Sequence, residues 1–186
     1  MRYLLNLVTG NHGKLNKVEN SLLYKILHNR DDVFGKSSRN PTLDIIIKDH
    51  SEKPTSVLYR GLTQEELRKI EAMMKGGSIN IGRYLAFTEV RSHAELASAK
   101  AKTKTMLEIF PTSSKSGKAL NYRKTLVEQI KSGRLDGMVG ASGKAKTRSL
   151  EYLEDEREWF FPFDFKFEVF KTYMRGPQRI ITIKPI

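Results

Sequence analysis

The sequence contains no cysteine. Disulfides and thiolate metal sites are therefore excluded, and a reducing compartment such as the cytoplasm is the expected setting. No run approaches the roughly 18 consecutive apolar residues of a membrane-spanning helix. The opening MRYLLNLVTGNHG has a short apolar patch, without an adequate h-region or a small-residue cleavage site, which argues against a signal peptide. Histidine is scarce. His12, His28, His50 and His93 stand apart with no metal-ligand spacing, so no metal is expected. No Gly-x-Ser-x-Gly elbow supports a hydrolase triad. GMVGASGKA fails as a P-loop: Gly137 to Gly143 is one residue too long, Gly140 to Gly143 too short, and Ala145 replaces the magnesium-binding hydroxyl.

Acid is in short supply: 33 Lys and Arg face 21 Asp and Glu, a net charge of +12 over 186 residues. The excess is uneven. Residues 91–148 hold thirteen basic and four acidic residues, most of the total. Such a field attracts polyanions, a nucleic acid, a ribosome or an acidic protein, though a solvated lysine face would read the same way. With 39% apolar residues the chain can bury a core, and its length suits one domain, 1–186, with a helical N-terminal part over 1–50.

Periodicity predicts a helix over 14–29 with Leu15, Val18, Leu22 and Ile26 on one face. A short helix follows the Asn40-Pro41 break. SVLYRG reads as a strand over 56–60 stopped by Gly61. Thr63 and Glu66 form a capping-box pattern opening a helix through Leu67, Ile70 and Met74, closed by Gly76 and Gly77. A strand is expected over 83–88. A second capping box, Ser92 with Glu95, should open a helix to about Lys102. Residues 104–110 alternate like a strand, 113–118 read as a loop, and 122–133 as a helix closed by glycine. Residues 137–149 read as a basic, glycine-rich loop. Strands over 157–161, 165–171 and 178–184 follow. This pattern predicts α+β, a strand-built core with helices laid against it.

Against the basic background, EDEREWFFPF at 154–163 packs four acids into five positions before an aromatic run. On a strand, Glu156 and Glu158 would share a face. Two close carboxylates repel, which raises one pKa, and such a pair serves an oxocarbenium-like sugar cation. A solvated acidic strand end is the simpler alternative. LYRG places Arg60 at the end of an apolar strand, where a guanidinium can grip a phosphate. AFTEVRSHAELASAKA gives a strand ending in the Thr88 hydroxyl, then a helix.

Taken in order, LYRG, AFTEV…AELASAKA, TMLEIF…ALNY and EREWFFP resemble the arginine–serine–glutamate class of ADP-ribosyltransferases. Within it, they are most similar to the Mod-type enzymes of T-even phages. The likeness covers roughly residues 56–171. It implies two small sheets around an NAD cleft, helices packed outside, NAD as substrate, and action in the cytoplasm of a bacterial host. It casts Glu158 as the catalytic glutamate that stabilises the ribosyl cation, and Glu156 as the upstream glutamate of arginine-modifying enzymes. Arg60, with Tyr59, Gly61, Phe87 and Thr88, would bind NAD. Thr88 would brace Glu158, with Glu89 and Val90 standing where further hydroxyls are expected. The loop 139–155 would recognise the acceptor through Tyr152, Lys144, Lys146 and Arg148. The resemblance implies a macromolecular acceptor and, for a toxin, an antitoxin partner. Glu156 favours protein arginine; the charge favours RNA or DNA. A non-catalytic RNA-binding protein is the rival reading, and a glycohydrolase using the same acids on water is a third.

Overall fold

The structure is a computed structural model that describes residues 15–28, 34, 38–111, 117–135 and 143–186. The first helix, α1 (Lys17–His28), is closed reciprocally. The Asn16 side chain accepts from the Val18 and Glu19 amides at 2.9 and 3.0 Å, and Glu19 accepts from the Asn16 amide at 2.7 Å. Its buried face runs through Leu15, Leu23 and Ile26, whereas Val18 is 66% exposed. The expected stripe is therefore rotated: a step of one residue, about 100°, from Leu22 to Leu23 satisfies the same 3.6-residue period with better burial. Helix α2 (Pro41–His50) begins with Asn40 as N-cap and proline at its first position. Tyr84 fastens that start, donating to Asp44 at 2.8 Å and accepting from the Asn40 amide at 2.9 Å. Burial drives its phenol well above the ordinary range.

Strands β1 (Ser51–Glu52) and β2 (Leu58–Gly61) come next. Helix α3 (Gln64–Met73) carries the expected capping box with both of its bonds. Strand β3 (Leu85–Thr88) leads to helix α4 (Arg91–Lys100). Here the expected Ser92–Glu95 box does not form. The helix starts two residues earlier, Val90 is its cap, and Glu95 instead pairs with Arg91 Nε at 2.8 Å. Strand β4 (Thr105–Ile109) is buried at all five positions rather than alternating, because both of its faces are covered. The short β5 (Ala119–Asn121), like β1, carries too few residues to show a period and escaped the sequence reading. Asn121 then caps α5 (Tyr122–Lys131).

The largest local departure follows. The segment expected as a basic loop is, from residue 143 onward, helix α6 (Gly143–Glu156). Residues 112–116 and 136–142 lie outside the described residues. In α6, Leu150 and the buried Leu153 pack onto the core at i,i+3 spacing. Basic and glycine-rich composition hid that short stripe. Strand β6 (Glu158–Phe161) starts two residues after the helix ends, and β7 (Phe167–Arg175) and β8 (Gln178–Pro185) form a hairpin. Gly176 at φ 59 opens its two-residue turn, a conformation glycine adopts freely.

Among the described residues, hydrogen bonding links eight strands in the order β1–β5–β6–β3–β2–β4–β8–β7. The α+β architecture agrees with expectation. The two small sheets survive only as halves: β3 and β2 join through a single residue pair, Thr88 with Tyr59, whereas β3 pairs with β6 over four residues and β2 with β4 over four. One core lies under the helices, with Leu23, Ile46, Leu126 and Leu153 around Phe160, whose ring stacks on Tyr122 at 4.4 Å. A second core is shared by the halves, joining Leu58, Leu107 and Ile181 to Phe87, Trp159 and Phe161. Among the described residues no helix is long and apolar enough to cross a membrane.

Candidate active site

The weak seam between the half-sheets opens into a cleft of about 280 Å³. Glu158, Thr88 and Tyr59 form one register row across it: Glu158 lies opposite Thr88, and Thr88 opposite Tyr59. Glu158, 5% exposed, begins β6 and lines the cleft. Glu156 also lines it, from the end of a helix rather than from a strand. Strand alternation therefore does not bring the two acids together. The turn at Arg157 does, with its φ of 45 in the left-handed region. That residue closes the helix, its Nε donating to the Glu154 carbonyl at 3.0 Å.

Thr88 governs this turn differently from expectation. Its hydroxyl donates to the Glu156 backbone carbonyl at 2.6 Å and accepts from the Val90 amide at 2.9 Å. It braces the backbone ahead of Glu158, not the Glu158 carboxylate. The two residues that stand where hydroxyls were expected also work here. Glu89 accepts from Trp159 Nε1 at 2.8 Å, and its amide donates to the Arg157 carbonyl at 3.2 Å. The segment 88–90 thus holds the turn 156–159 through three hydrogen bonds.

Arg60 enters from the opposite half. One guanidinium nitrogen donates to the Ala86 carbonyl at 2.7 Å and the other to Glu66 at 2.6 Å. Glu66 is fully buried, and its second oxygen accepts from the Thr63 amide at 3.1 Å. The capping-box glutamate therefore caps the start of α3 and holds the cleft arginine with one carboxylate. Burial alone would raise the Glu66 carboxyl; the charge and hydrogen bond of Arg60 outweigh it and hold the group below its ordinary value. Arg83 also lines the cleft, tied to Glu65 at 2.8 Å. The Nε atoms of Arg60 and Arg83 are buried without a hydrogen-bond partner among the described residues. Orphaned guanidinium donors beside a cleft suit an anionic ligand such as a pyrophosphate.

The sequence-predicted residues divide. Glu158, Glu156, Arg60, Tyr59, Gly61 and Thr88 line the same cleft. Gly61 does so for a packing reason: a Cβ there would lie 2.3 Å from the Ala94 carbonyl oxygen, so α4 rests on the bare backbone. Phe87 does not line it. Its side chain, 1% exposed, points into the shared core against Phe161, because it alternates with Ala86 and Thr88 along β3. Tyr152 and Arg148 lie on α6, exposed, and neither lines the cleft. The side chains of Lys144 and Lys146 lie outside the described residues. Sequence reading missed Glu66, Arg83 and His93. In the sequence Glu66 reads as a cap alone, and a lone histidine or arginine beside a strand carries no pattern.

No family profile matches the chain, and no curated protein sequence does. Solved structures do. Plx2a, an ADP-ribosyltransferase toxin from Paenibacillus larvae, superposes with a TM-score of 0.57 at 13% identity, over 92% of this chain and 87% of its own. The Clostridium limosum C3 exoenzyme gives 0.55 at 14% identity, over 94% and 88%. The chain has the ADP-ribosyltransferase fold. Exoenzyme S from Pseudomonas aeruginosa, solved with human 14-3-3 protein beta and carba-NAD, has a TM-score of 0.52 at 11% identity, over 98% and 79%. With identities this low the likeness is one of backbone. Within this ADP-ribosyltransferase fold, the residues that the sequence singled out for NAD chemistry sit mainly at the seam between the half-sheets.

Proposed function

We propose that the protein is a mono-ADP-ribosyltransferase of the arginine–serine–glutamate type, moving ADP-ribose from NAD to a macromolecular acceptor and releasing nicotinamide. The observation that carries this reading is the shared cleft: two carboxylates, Glu158 and Glu156, line it together with an arginine whose Nε has no hydrogen-bond partner among the described residues. NAD has the complementary layout, an anionic pyrophosphate and a cationic nicotinamide ribosyl group. Arg60 takes the pyrophosphate, held in place by Glu66. Glu158 stabilises the positive charge that develops on the ribose as the bond to nicotinamide breaks. Its near-complete burial strengthens that interaction relative to water. Glu156 takes the proton from the acceptor, and the ordered turn at Arg157 keeps both acids in register for the same sugar.

Protein arginine is the acceptor that Glu156 favours, since a carboxylate accepts from a guanidinium. The net charge of +12 favours RNA or DNA, held through phosphates. Labelled NAD incubated with the protein and a bacterial lysate, beside Glu158→Gln, tests the reading. Label entering macromolecules only with intact Glu158 supports transfer. Protease or RNase sensitivity of the product names the acceptor class, and transfer that collapses between about 50 and 200 mM salt points to a polyanion. Intact NAD, with neither transfer nor nicotinamide release, would overturn the assignment in favour of a binding protein.

A further inference from the structure

His93 has no role in the site as described so far, yet the fold delivers it to the acids. It sits in the first turn of α4, with its amide donating to the Val90 carbonyl at 3.1 Å. The Thr88 hydroxyl fixes Val90 and, from its other side, the Glu156 carbonyl. One hydroxyl thus sets the relative position of the segments that carry His93 and Glu156. The result is His93 Nδ1 at 3.7 Å from Glu156 Oε2, with both residues lining the cleft. Nδ1 is buried and has no hydrogen-bond partner among the described residues. A buried ring nitrogen without a partner, set slightly beyond hydrogen-bond length from a carboxylate, is the geometry of a contact that tightens in a substrate complex.

We propose that His93 is a positioning residue for the acceptor half of the reaction: its Nδ1–H holds Glu156 Oε2 and leaves Oε1 to receive the acceptor proton. The inference rests on the transferase reading given above. In that step the acceptor nitrogen lone pair forms the bond to the ribose C1′. The bond from C1′ to nicotinamide breaks, its electron pair leaving on neutral nicotinamide, and the acceptor proton passes to Glu156. His93 neither gains nor loses a proton overall. Its contribution is to select one orientation of Glu156 out of several rotamers, which matters for a large acceptor that must present one nitrogen. Water needs no such alignment. Loss of His93 therefore diverts the enzyme from transfer toward NAD hydrolysis.

Two rates are read side by side on purified protein: label transferred to acceptor, and nicotinamide released without acceptor. His93→Ala is expected to lower transfer by roughly tenfold, the scale of one charge-assisted hydrogen bond, and to change hydrolysis by less than about twofold. His93→Asn, which retains a side-chain N–H donor, restores most of the transfer. In a Glu156→Gln background, His93→Ala costs nothing further, because its effect runs through Glu156. Equal loss of both rates, no recovery in His93→Asn, or independent losses in the double variant would each overturn the proposal. Wild-type protein that neither transfers nor hydrolyses NAD would instead sink the transferase reading, so the two failures are distinct.

Discussion

The two half-sheets bring opposite chemistry to one seam. The half β1–β5–β6–β3 supplies a carboxylate and a hydroxyl, Glu158 and Thr88; the half β2–β4–β8–β7 supplies a guanidinium, Arg60. They also differ in support. The first is backed by helices that close over Phe160, while the second ends in an exposed hairpin strand where Phe170 and Met174 face solvent. Between them runs a single residue pair, Thr88 with Tyr59. A continuous ladder would have packed this space with side chains. Parting of the halves beyond one pair leaves room for a ligand, and the shared core of Phe87, Trp159 and Leu58 keeps them from separating. A site of mixed charge is thus assembled from two units, each of which carries mostly one sign.

The sharpest way to test that division is to remove the charge from the acidic half. Glu158→Gln keeps the shape and is expected to cost roughly 100–1000-fold in turnover, measured as nicotinamide release, as for other preorganised electrostatic contacts. Its denaturation midpoint should stay near that of the wild type. Next comes the packing that holds the basic half to α4. Gly61→Ala forces a methyl to within 2.3 Å of the Ala94 carbonyl oxygen. A loss of about 2–3 kcal/mol in urea unfolding is expected for such overpacking. A cost well under this would mean that α4 does not bear on β2 as described.

A milder change separates the two jobs of Glu66. Glu66→Gln keeps an acceptor for the capping box and removes the charge that holds Arg60. The KM for NAD should rise roughly tenfold with kcat less affected. The same residue predicts a pH effect. Its folded pKa lies below the ordinary 4.5. Its contribution to stability is therefore fully present above that value and is lost as pH falls through the lower folded pKa. Stability followed from neutral pH down to about pH 3 should fall less steeply in Glu66→Gln than in the wild type. The smallest expected effect lies outside the cleft. Lys102, at φ 58, ends α4 in the left-handed region. Its amide and that of Thr103 return to the Ala99 and Ser98 carbonyls in a Schellman arrangement. Lys102→Gly should stabilise the fold by about 1 kcal/mol and leave NAD turnover unchanged.

Much of this molecule is legible in its sequence. Helix starts were readable where a side chain caps its own neighbours: Asn40, and Thr63 with Glu66. The strands carrying Arg60, Thr88 and Glu158 were readable because they are apolar runs ended by polar residues. Errors fell where the deciding contact is remote. Helix α6 reads as a loop in the sequence because its burial depends on two leucines meeting a core built by α1, α2 and α5. The capping box at Ser92 failed because Thr88 and Glu156 hold the helix start in another place.

The sequence by itself determined the residue types needed for the chemistry and their order along the chain, because local hydrogen bonding and periodicity act over three or four residues. Only the tertiary structure decided which of them meet. Glu156 joins Glu158 through a left-handed turn, Glu66 doubles as a cap and an arginine clamp, His93 comes to 3.7 Å from Glu156, and Phe87 turns into the core. Each of these depends on segments that the pairing of strands brings together, and pairing is settled by the burial of the whole core rather than by any short stretch of sequence.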